Sequence, residues 1–478
     1  MKIPFLKYSF VLGLAIKALS LSAQTNISAS NDKIQYMGRI DFSNPEQPTY
    51  IYPGVSIKAK FNGAEITAII EDYGDGSDAS GNFYKILIDG QIVNEQLKVA
   101  TGEVNYLLAS GLTPAEHTVE LMKITEGASG KSSFKGFIIT GGSEDLVTPD
   151  SASQKRIEFI GDSWTCGYGN VSQFASGPAS MAYSNYYAAN EDNYYAWGPI
   201  TARALGAQYH VTATSGRGLY RNNTGTTTHT IPKNYDHLFE DDASVIWDHS
   251  KYHPDVISIH LGTNDMAQEE GGEEYKLDDE AFQQTYIDFI TKLRAYHPCS
   301  KIIICFGNSK SDSWPTWTQQ LTRLRTIANQ VADSFTENVT TLELPFTAEK
   351  WTGNPEDDCG YGDAWHPSKC SHEEMAVELI NKINSLNVEW GKSNCMLSTY
   401  KPIEEEIVKI YPNPAYSKVL IHTASNESLE KVTITDMTGK IVKQIKTQNS
   451  TSEIDVTTLP KGIYFVKVGN TTQKLIKK

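Results

Sequence analysis

Between residues 156 and 392, short apolar runs alternate with helical patterns, and that alternation leaves the chain few ways to fold. The runs are Ile157–Ile160, Tyr209–Ala213, Val256–Leu261, Ile302–Phe306 and Val339–Leu344. Phe282, Tyr286, Phe289, Leu293 and Tyr296 recur at helical spacing over 279–297, and Pro298 stops the pattern. Leu321, Leu324, Ala328, Val331 and Phe335 do the same over 316–335. Met375, Leu379 and Ile383 mark a third helix over 372–386, with Ser371 and Glu374 as a capping box at its start. Strand–helix alternation predicts a parallel sheet covered by helices on both faces. In such sheets, reactive groups gather beyond the carboxyl ends of the strands.

The flanking segments follow another rhythm. Over 30–143, Ile51–Phe61, Glu65–Ile70, Tyr84–Gly90 and Thr118–Ile124 alternate apolar with polar residues, and Gly, Asn and Asp fill the gaps. That predicts a β-sandwich or jelly roll. Residues 144–155 and 393–408 are polar and hold prolines, so they read as linkers. Strand patterns return after 408 and predict a small β-sandwich. The expected chain is therefore multidomain: a β-domain at 30–143, an α/β three-layer domain at 151–392 and a β-domain at 405–478. A length of 478 residues, too great for one ordinary core, agrees.

The N-terminus reads as an address. Lys2 and Lys7 precede the apolar run Phe10–Ile16, and small residues follow at Ser20, Ser22 and Ala23. This predicts a secretory signal peptide over 1–23, an exported protein and no membrane span in the mature chain. The formal net charge of −15 argues against a nucleic-acid partner. The cysteines show no zinc spacing, so neither a metal nor another cofactor is expected. Cys359 and Cys370 flank residues 363–366, where a bridge would staple that loop; two free buried thiols are the other reading.

Four blocks carry the chemistry. Gly161-Asp162-Ser163 ends the first strand, and Ser215-Gly216 follows the second. Gly262-Thr263-Asn264-Asp265 follows the third, and Asp363-Ala364-Trp365-His366-Pro367 comes last. A serine hydroxyl is a weak nucleophile, so it needs a base, and the base needs a partner that fixes its tautomer. Ser163, His366 and Asp363 are the candidates for these roles. Ser163 N–H, Gly216 N–H and the Asn264 amide are the candidate donors to an oxyanion. Trp164 and Trp365 neighbour the nucleophile and the base, where they are candidate stacking faces for a sugar.

These blocks resemble the motifs of the SGNH/GDSL hydrolases. Gly161-Asp162-Ser163-Trp164-Thr165 lacks the second glycine of an α/β-hydrolase elbow. The resemblance implies a flavodoxin-like fold, a Ser–His–Asp triad and an oxyanion hole of Ser, Gly and Asn. The preceding β-domain, Ser215–Asn222 and Trp365-His366-Pro367 extend the resemblance, over 34–392, to carbohydrate esterase family 2. That implies removal of acetyl groups from plant polysaccharides such as xylan and glucomannan. Members of that family that lack the acid orient the histidine with backbone carbonyls, so Asp363 has two readings. Ile410-Tyr411-Pro412-Asn413-Pro414, Asp436–Lys440 and Leu459–Tyr464 resemble the type A sorting domain of the type IX secretion system. This makes that machinery a partner and implies export to the surface or the exterior. Two alternatives stay open: a lipase or thioesterase on the same scaffold, and a non-catalytic glycan-binding surface protein.

Overall fold

The computed structural model describes residues 24–142, 145–171, 186–240, 242–345, 359–392, 409–422, 431–437, 440–446, 451–468 and 471–478. The expected signal peptide lies outside the described residues, as do Cys395 and the linker through 408. The chain divides into two compact units, Met1–Cys395 and Met396–Lys478.

Two antiparallel sheets of six and five strands open the first unit. Ser56–Asn62 and Glu65–Asp72 bury alternate residues, so Ile57, Ala59 and Phe61 face Ile66, Ala68 and Ile70 across one apolar core. The sequence pattern placed the first of these strands earlier. Pro53, which has no N–H to give a ladder, stands in that earlier stretch. Phe83–Ile88 is buried on both faces. One face joins the sandwich core, while Phe83, Met122 and Ile124 pack with Ile157, Phe159 and Trp164 of the α/β region.

The α/β region holds a five-stranded parallel sheet. Its strands are β1 (Arg156–Gly161), β2 (Gln208–Ala213), β3 (Val256–His260), β4 (Lys301–Phe306) and β5 (Val339–Glu343). Their order across the sheet is 2-1-3-4-5, the flavodoxin-like order, with its switch point between β1 and β3. Besides a single turn at Ile231–Asn234, the α-helices among the described residues are α1 (Ser163–Cys166), α2 (Trp197–Leu205), α3 (Asp279–Tyr296), α4 (Gln320–Asp333) and α5 (Lys369–Ser385). Helix α2 packs against α5, and α3 against α4. Two apolar clusters cover the sheet, one around Phe159, Trp197 and Leu379, the other around Ile259, Phe289 and Leu324. Helix α5 starts at Lys369, three residues before the expected start at 372. Its N-cap is Ser368, which accepts the Ser371 N–H at 3.3 Å.

A buried ion pair also joins the β-sandwich to the sheet. Arg39 Nη2 lies 2.9 Å from Glu158 Oε1 on β1, and both residues are buried. Glu158 also accepts from Thr212 Oγ1 and Tyr235 O–H, each at 2.8 Å, and Arg39 Nη1 donates to the Tyr235 carbonyl at 2.6 Å. Burial alone would push the Glu158 carboxyl up, but the charges facing it, Arg39 first, hold it down at about 2. Lys85 of the sandwich similarly meets Asp192 at 2.8 Å.

In the second unit, a three-stranded and a four-stranded sheet share a core of Val419, Ile421, Val432, Ile434, Val466 and Leu475.

Removing one partner of a buried pair strands the other charge, which typically costs about 3–5 kcal/mol. Arg39→Met is therefore expected to destabilise the first unit by about that amount. Urea denaturation followed by tryptophan fluorescence would measure it.

Candidate active site

Each block lies at the carboxyl end of the parallel sheet. Strand β1 ends at Gly161, where a Cβ would stand 2.1 Å from Thr165 Oγ1 and 2.9 Å from the His260 carbonyl, so the turn admits only glycine. Asp162 caps α1 by accepting the Trp164 N–H at 3.1 Å. Ser163 is the first residue of α1, so its N–H has no acceptor within the helix.

The Ser163 hydroxyl meets His366. Oγ lies 2.7 Å from Nε2, and Nδ1 lies 2.9 Å from the carbonyl oxygen of Ala364. A carbonyl only accepts, so Nδ1 carries the proton and Nε2 presents its lone pair to the serine. That is the tautomer a general base needs. The contact to Ala364 comes from an unusual turn. Ala364 and Trp365 have φ of 45° and 64°, and the His366 N–H donates to the Asp363 carbonyl at 2.9 Å. Positive φ at both central residues swings the Ala364 carbonyl back onto the imidazole two residues ahead.

Of the two readings of Asp363, this geometry has a backbone carbonyl, and not the Asp363 carboxylate, on Nδ1. Asp363 is buried, and its Oδ2 accepts from Asn190 Nδ2 at 2.8 Å and from Tyr168 O–H at 3.2 Å. The turn directs the Asp363 side chain to those residues and leaves Nδ1 to the backbone. The Asp363 carboxylate thus anchors the turn without touching the His366 ring. Two further ties fix the loop. The Asp363 N–H donates to the Gly169 carbonyl at 3.0 Å, and a Cβ on Gly362 would lie 2.1 Å from that same oxygen. Cys359 and Cys370 form a disulfide with their Cα atoms 4.7 Å apart. Burial lowers the His366 pKa from 6.5, against opposing contributions from the Ala364 carbonyl and from Asp162 and Asp363.

The oxyanion candidates sit on neighbouring loops. Gly216 follows β2 with φ 76°, a conformation that favours glycine. Its neighbours are fixed by acids: Ser215 N–H donates to Glu126 Oε2 at 2.5 Å, Thr214 Oγ1 to Glu240 Oε2 at 2.8 Å, and Arg217 Nε to Glu240 Oε1 at 2.7 Å. Asn264 Nδ2 donates to the Arg217 carbonyl at 2.8 Å and lies 3.2 Å from Asp162 Oδ2, so it ties the first three blocks together. Asp265, given no role from sequence, accepts the N–H groups of Leu219, Tyr220 and Arg221 at 2.9, 2.7 and 2.9 Å. It fastens the rest of the Gly216 loop. Burial outweighs those bonds and raises its carboxyl to about 6. Its place beside Asn264 in a βα turn was the available signal.

The tryptophans divide. Trp164 is 3% exposed, so the stacking face expected of it is absent. As the second residue of α1 it turns inward, and its ring packs against His260 and His366. Trp365 is 38% exposed and packs edge-on against Tyr361. Trp314 and Trp317, which sequence reading passed over, are 67% and 43% exposed on the β4–α4 loop, at the same end of the sheet. Two tryptophans just past a strand of the parallel sheet were the missed signal.

Residues 36–149 match the family described as carbohydrate esterase 2 N-terminal, and residues 159–373 the GDSL-like lipase/acylhydrolase family. Residues 409–478 match the secretion system C-terminal sorting domain. The chain is 30% identical over 360 residues to a protein named cellulase/esterase CelE from Acetivibrio thermocellus, a match covering 74% of this chain and 40% of that one. It is 29% identical over 278 residues to a protein of Cellvibrio japonicus named acetylxylan esterase / glucomannan deacetylase, covering 56% of this chain and 72% of that one. A solved family two carbohydrate esterase from Clostridium thermocellum, in complex with cellohexaose, is similar with a TM-score of 0.63 and 30% identity. That match covers 74% of this chain and 98% of that one.

Histidine ring ¹⁵N spectra are expected to show His366 with its proton on Nδ1. On titration it should stay largely neutral at pH 6.5, the ordinary imidazole value, and take up a proton only as the pH falls further, because burial depresses its pKa. Asp363→Asn is expected to leave that tautomer in place. A switch to the Nε2 tautomer in the variant would show that the carboxylate, not the Ala364 carbonyl, sets it.

Proposed function

On the premise that this chain belongs to carbohydrate esterase family 2, we propose that it is a secreted serine esterase. It removes O-acetyl groups from plant-type polysaccharides or oligosaccharides. The observation that carries this reading is the 2.7 Å contact between Ser163 Oγ and His366 Nε2, with Nδ1 held by a carbonyl. The hydroxyl and the base stand at hydrogen-bond distance in the reactive tautomer.

Ser163 Oγ attacks the acetyl carbonyl while its proton passes to His366 Nε2. The charge that develops on the carbonyl oxygen meets the N–H groups of Ser163 and Gly216 and the Asn264 amide. The weaker Asn264 contact, the one to Asp162, is the one an oxyanion replaces. His366 then protonates the leaving sugar oxygen, the C–O bond breaks, and the acetyl group stays on Ser163. Water attacks this acetyl-enzyme and gives its proton to Nε2. Collapse of the second tetrahedral intermediate releases acetate and returns the proton to Ser163. The imidazolium formed in each half-reaction keeps its Nδ1–H bond to Ala364. A carbonyl stabilises that charge through its dipole, without an aspartate in contact.

A sugar substrate is supported by the exposed rings of Trp314, Trp317 and Trp365, flat apolar faces of the kind that stack on sugars. It is also supported by the names of the relatives, one an acetylxylan esterase / glucomannan deacetylase. The C-terminal sorting domain directs the chain through type IX secretion to the cell surface or the exterior, where such polymers are met.

Ser163→Ala is expected to abolish hydrolysis of 4-nitrophenyl acetate, and Asn264→Ala to lower kcat by roughly 10²–10³-fold with the fold retained. Acetate release from acetylated xylan and glucomannan tests the substrate class. Trp314→Ala and Trp317→Ala are expected to raise KM on the polymer and leave the aryl acetate unaffected. Preference for butyryl and longer acyl esters over acetyl esters would instead favour a lipase on this scaffold.

A further inference from the structure

The loop that carries Gly216 is held partly by the other domain. Glu126 belongs to the β-sandwich, three residues past the strand Glu116–Lys123, and it is fully buried. Its Oε2 accepts the Ser215 N–H at 2.5 Å, one residue before Gly216. The same oxygen lies 3.5 Å from the Sγ of Cys166, the last residue of α1, whose first residue is Ser163. One carboxylate of the sandwich therefore touches both the oxyanion loop and the helix of the nucleophile. A second tie runs in parallel. The Ile124 carbonyl accepts the Asn193 N–H at 3.0 Å, and the Asn193 amide donates to the Thr165 and Cys166 carbonyls at 3.1 and 2.9 Å.

We propose that Glu126 is a positioning residue for the esterase reaction: by fixing the Ser215 amide it aims the Gly216 N–H at the oxyanion, so the β-sandwich completes the active site of the α/β domain. The inference rests on the reading of Gly216 as an oxyanion donor. The Gly216 N–H lies in the 215–216 peptide plane, which has little freedom because the planes on both sides are held: the Ser215 N–H by Glu126, and the Gly216 carbonyl by the Asn223 N–H at 2.9 Å. Glycine alone does not hold an amide in place; it is the residue most able to swing. The clamp supplies what the glycine lacks. Glu240 grips Thr214 and Arg217 on either side, but it does not reach the Ser215 amide. Burial raises the Glu126 carboxyl to about 7, so this position tolerates a neutral group. The contact requires an acceptor oxygen and not a charge.

Three substitutions in the full chain test this, with kcat for 4-nitrophenyl acetate expressed per active site titrated by the acetyl-enzyme burst. Glu126→Ala is expected to lower kcat per titrated site about 10- to 100-fold, as misaiming a catalytic group does, with KM changed less than about threefold. Glu126→Gln, which keeps an acceptor oxygen at the same reach, is expected to restore kcat to within about threefold of the parent. Glu126→Asp keeps the charge, draws the oxygen back by one methylene and is expected to behave like Glu126→Ala. A role confined to stability would lower the number of titratable sites and leave kcat per site at the parent value, which would overturn the proposal. Should Glu126→Ala fail to fold, the contrast between Gln and Asp decides: parent kcat in the Asp variant, or no rescue by Gln, overturns it. Ser163→Ala run alongside keeps the two readings apart, since turnover without Ser163 removes the esterase reading itself.

Discussion

The hydrogen bond from His366 Nδ1 to the Ala364 carbonyl is the interaction on which the site depends. It sets the tautomer, and the tautomer decides whether Nε2 can accept the serine proton. The bond exists only because Ala364 and Trp365 both take positive φ, which costs about 1–2 kcal/mol for each non-glycine residue. An isolated peptide of this sequence would not hold such a turn. Here the surroundings over-determine it: the disulfide at its base, the Gly169 carbonyl against Gly362, and a buried Asp363 bonded to Tyr168 and Asn190. Strain in the turn before His366 is thus supported by contacts that do not involve its imidazole.

The same logic runs across the boundary between the β-sandwich and the α/β domain. Apolar burial of Phe83, Met122 and Ile124 against Phe159 and Trp164 is non-directional and presses the two together without fixing a geometry. Direction comes from polar pairs at that boundary: Arg39 with Glu158 on β1, Lys85 with Asp192, Glu126 with Ser215. Such pairs contribute little net stability, since desolvation offsets much of the attraction. They do penalise any arrangement that leaves a buried charge unpaired.

Most of the scaffold was legible in the sequence because its causes are local. Strands buried on both faces and helices with one apolar stripe follow from residue periodicity, and β1 to β5 fall within a residue or two of the expected runs. Blocks ending those strands had to converge, because a parallel sheet puts all its carboxyl ends on one side. Errors came where a non-local contact outweighed a local signal. Helix α5 begins at Lys369 and not after Ser371, whose hydroxyl is drawn to the Gly360 carbonyl at 2.6 Å. Trp164 looked like a rim residue because it follows Ser163, yet the turn of α1 directs it into the core.

Asp363 shows the limit most clearly. A spacing of three suits a carboxylate and an imidazole meeting across a helical turn or a β-turn alike. In a turn with negative φ, the side chains of the first and fourth residues approach, and the Asp-x-x-His string would give a triad. Reversing the sign of φ at the two central residues replaces the side chain with a main-chain carbonyl as the partner of Nδ1. Nothing in Ala364 or Trp365 advertises that reversal, since neither is glycine or asparagine, the residues that usually signal it. What accompanies it is close backbone contact between Gly362 and Gly169, nearly two hundred positions earlier, which no local reading of the motif brings together. The identity of the orienting group is therefore a property of the contacts that hold the turn, Gly362 against Gly169 and the buried Asp363 against Tyr168 and Asn190, and not of the Asp-x-x-His spacing.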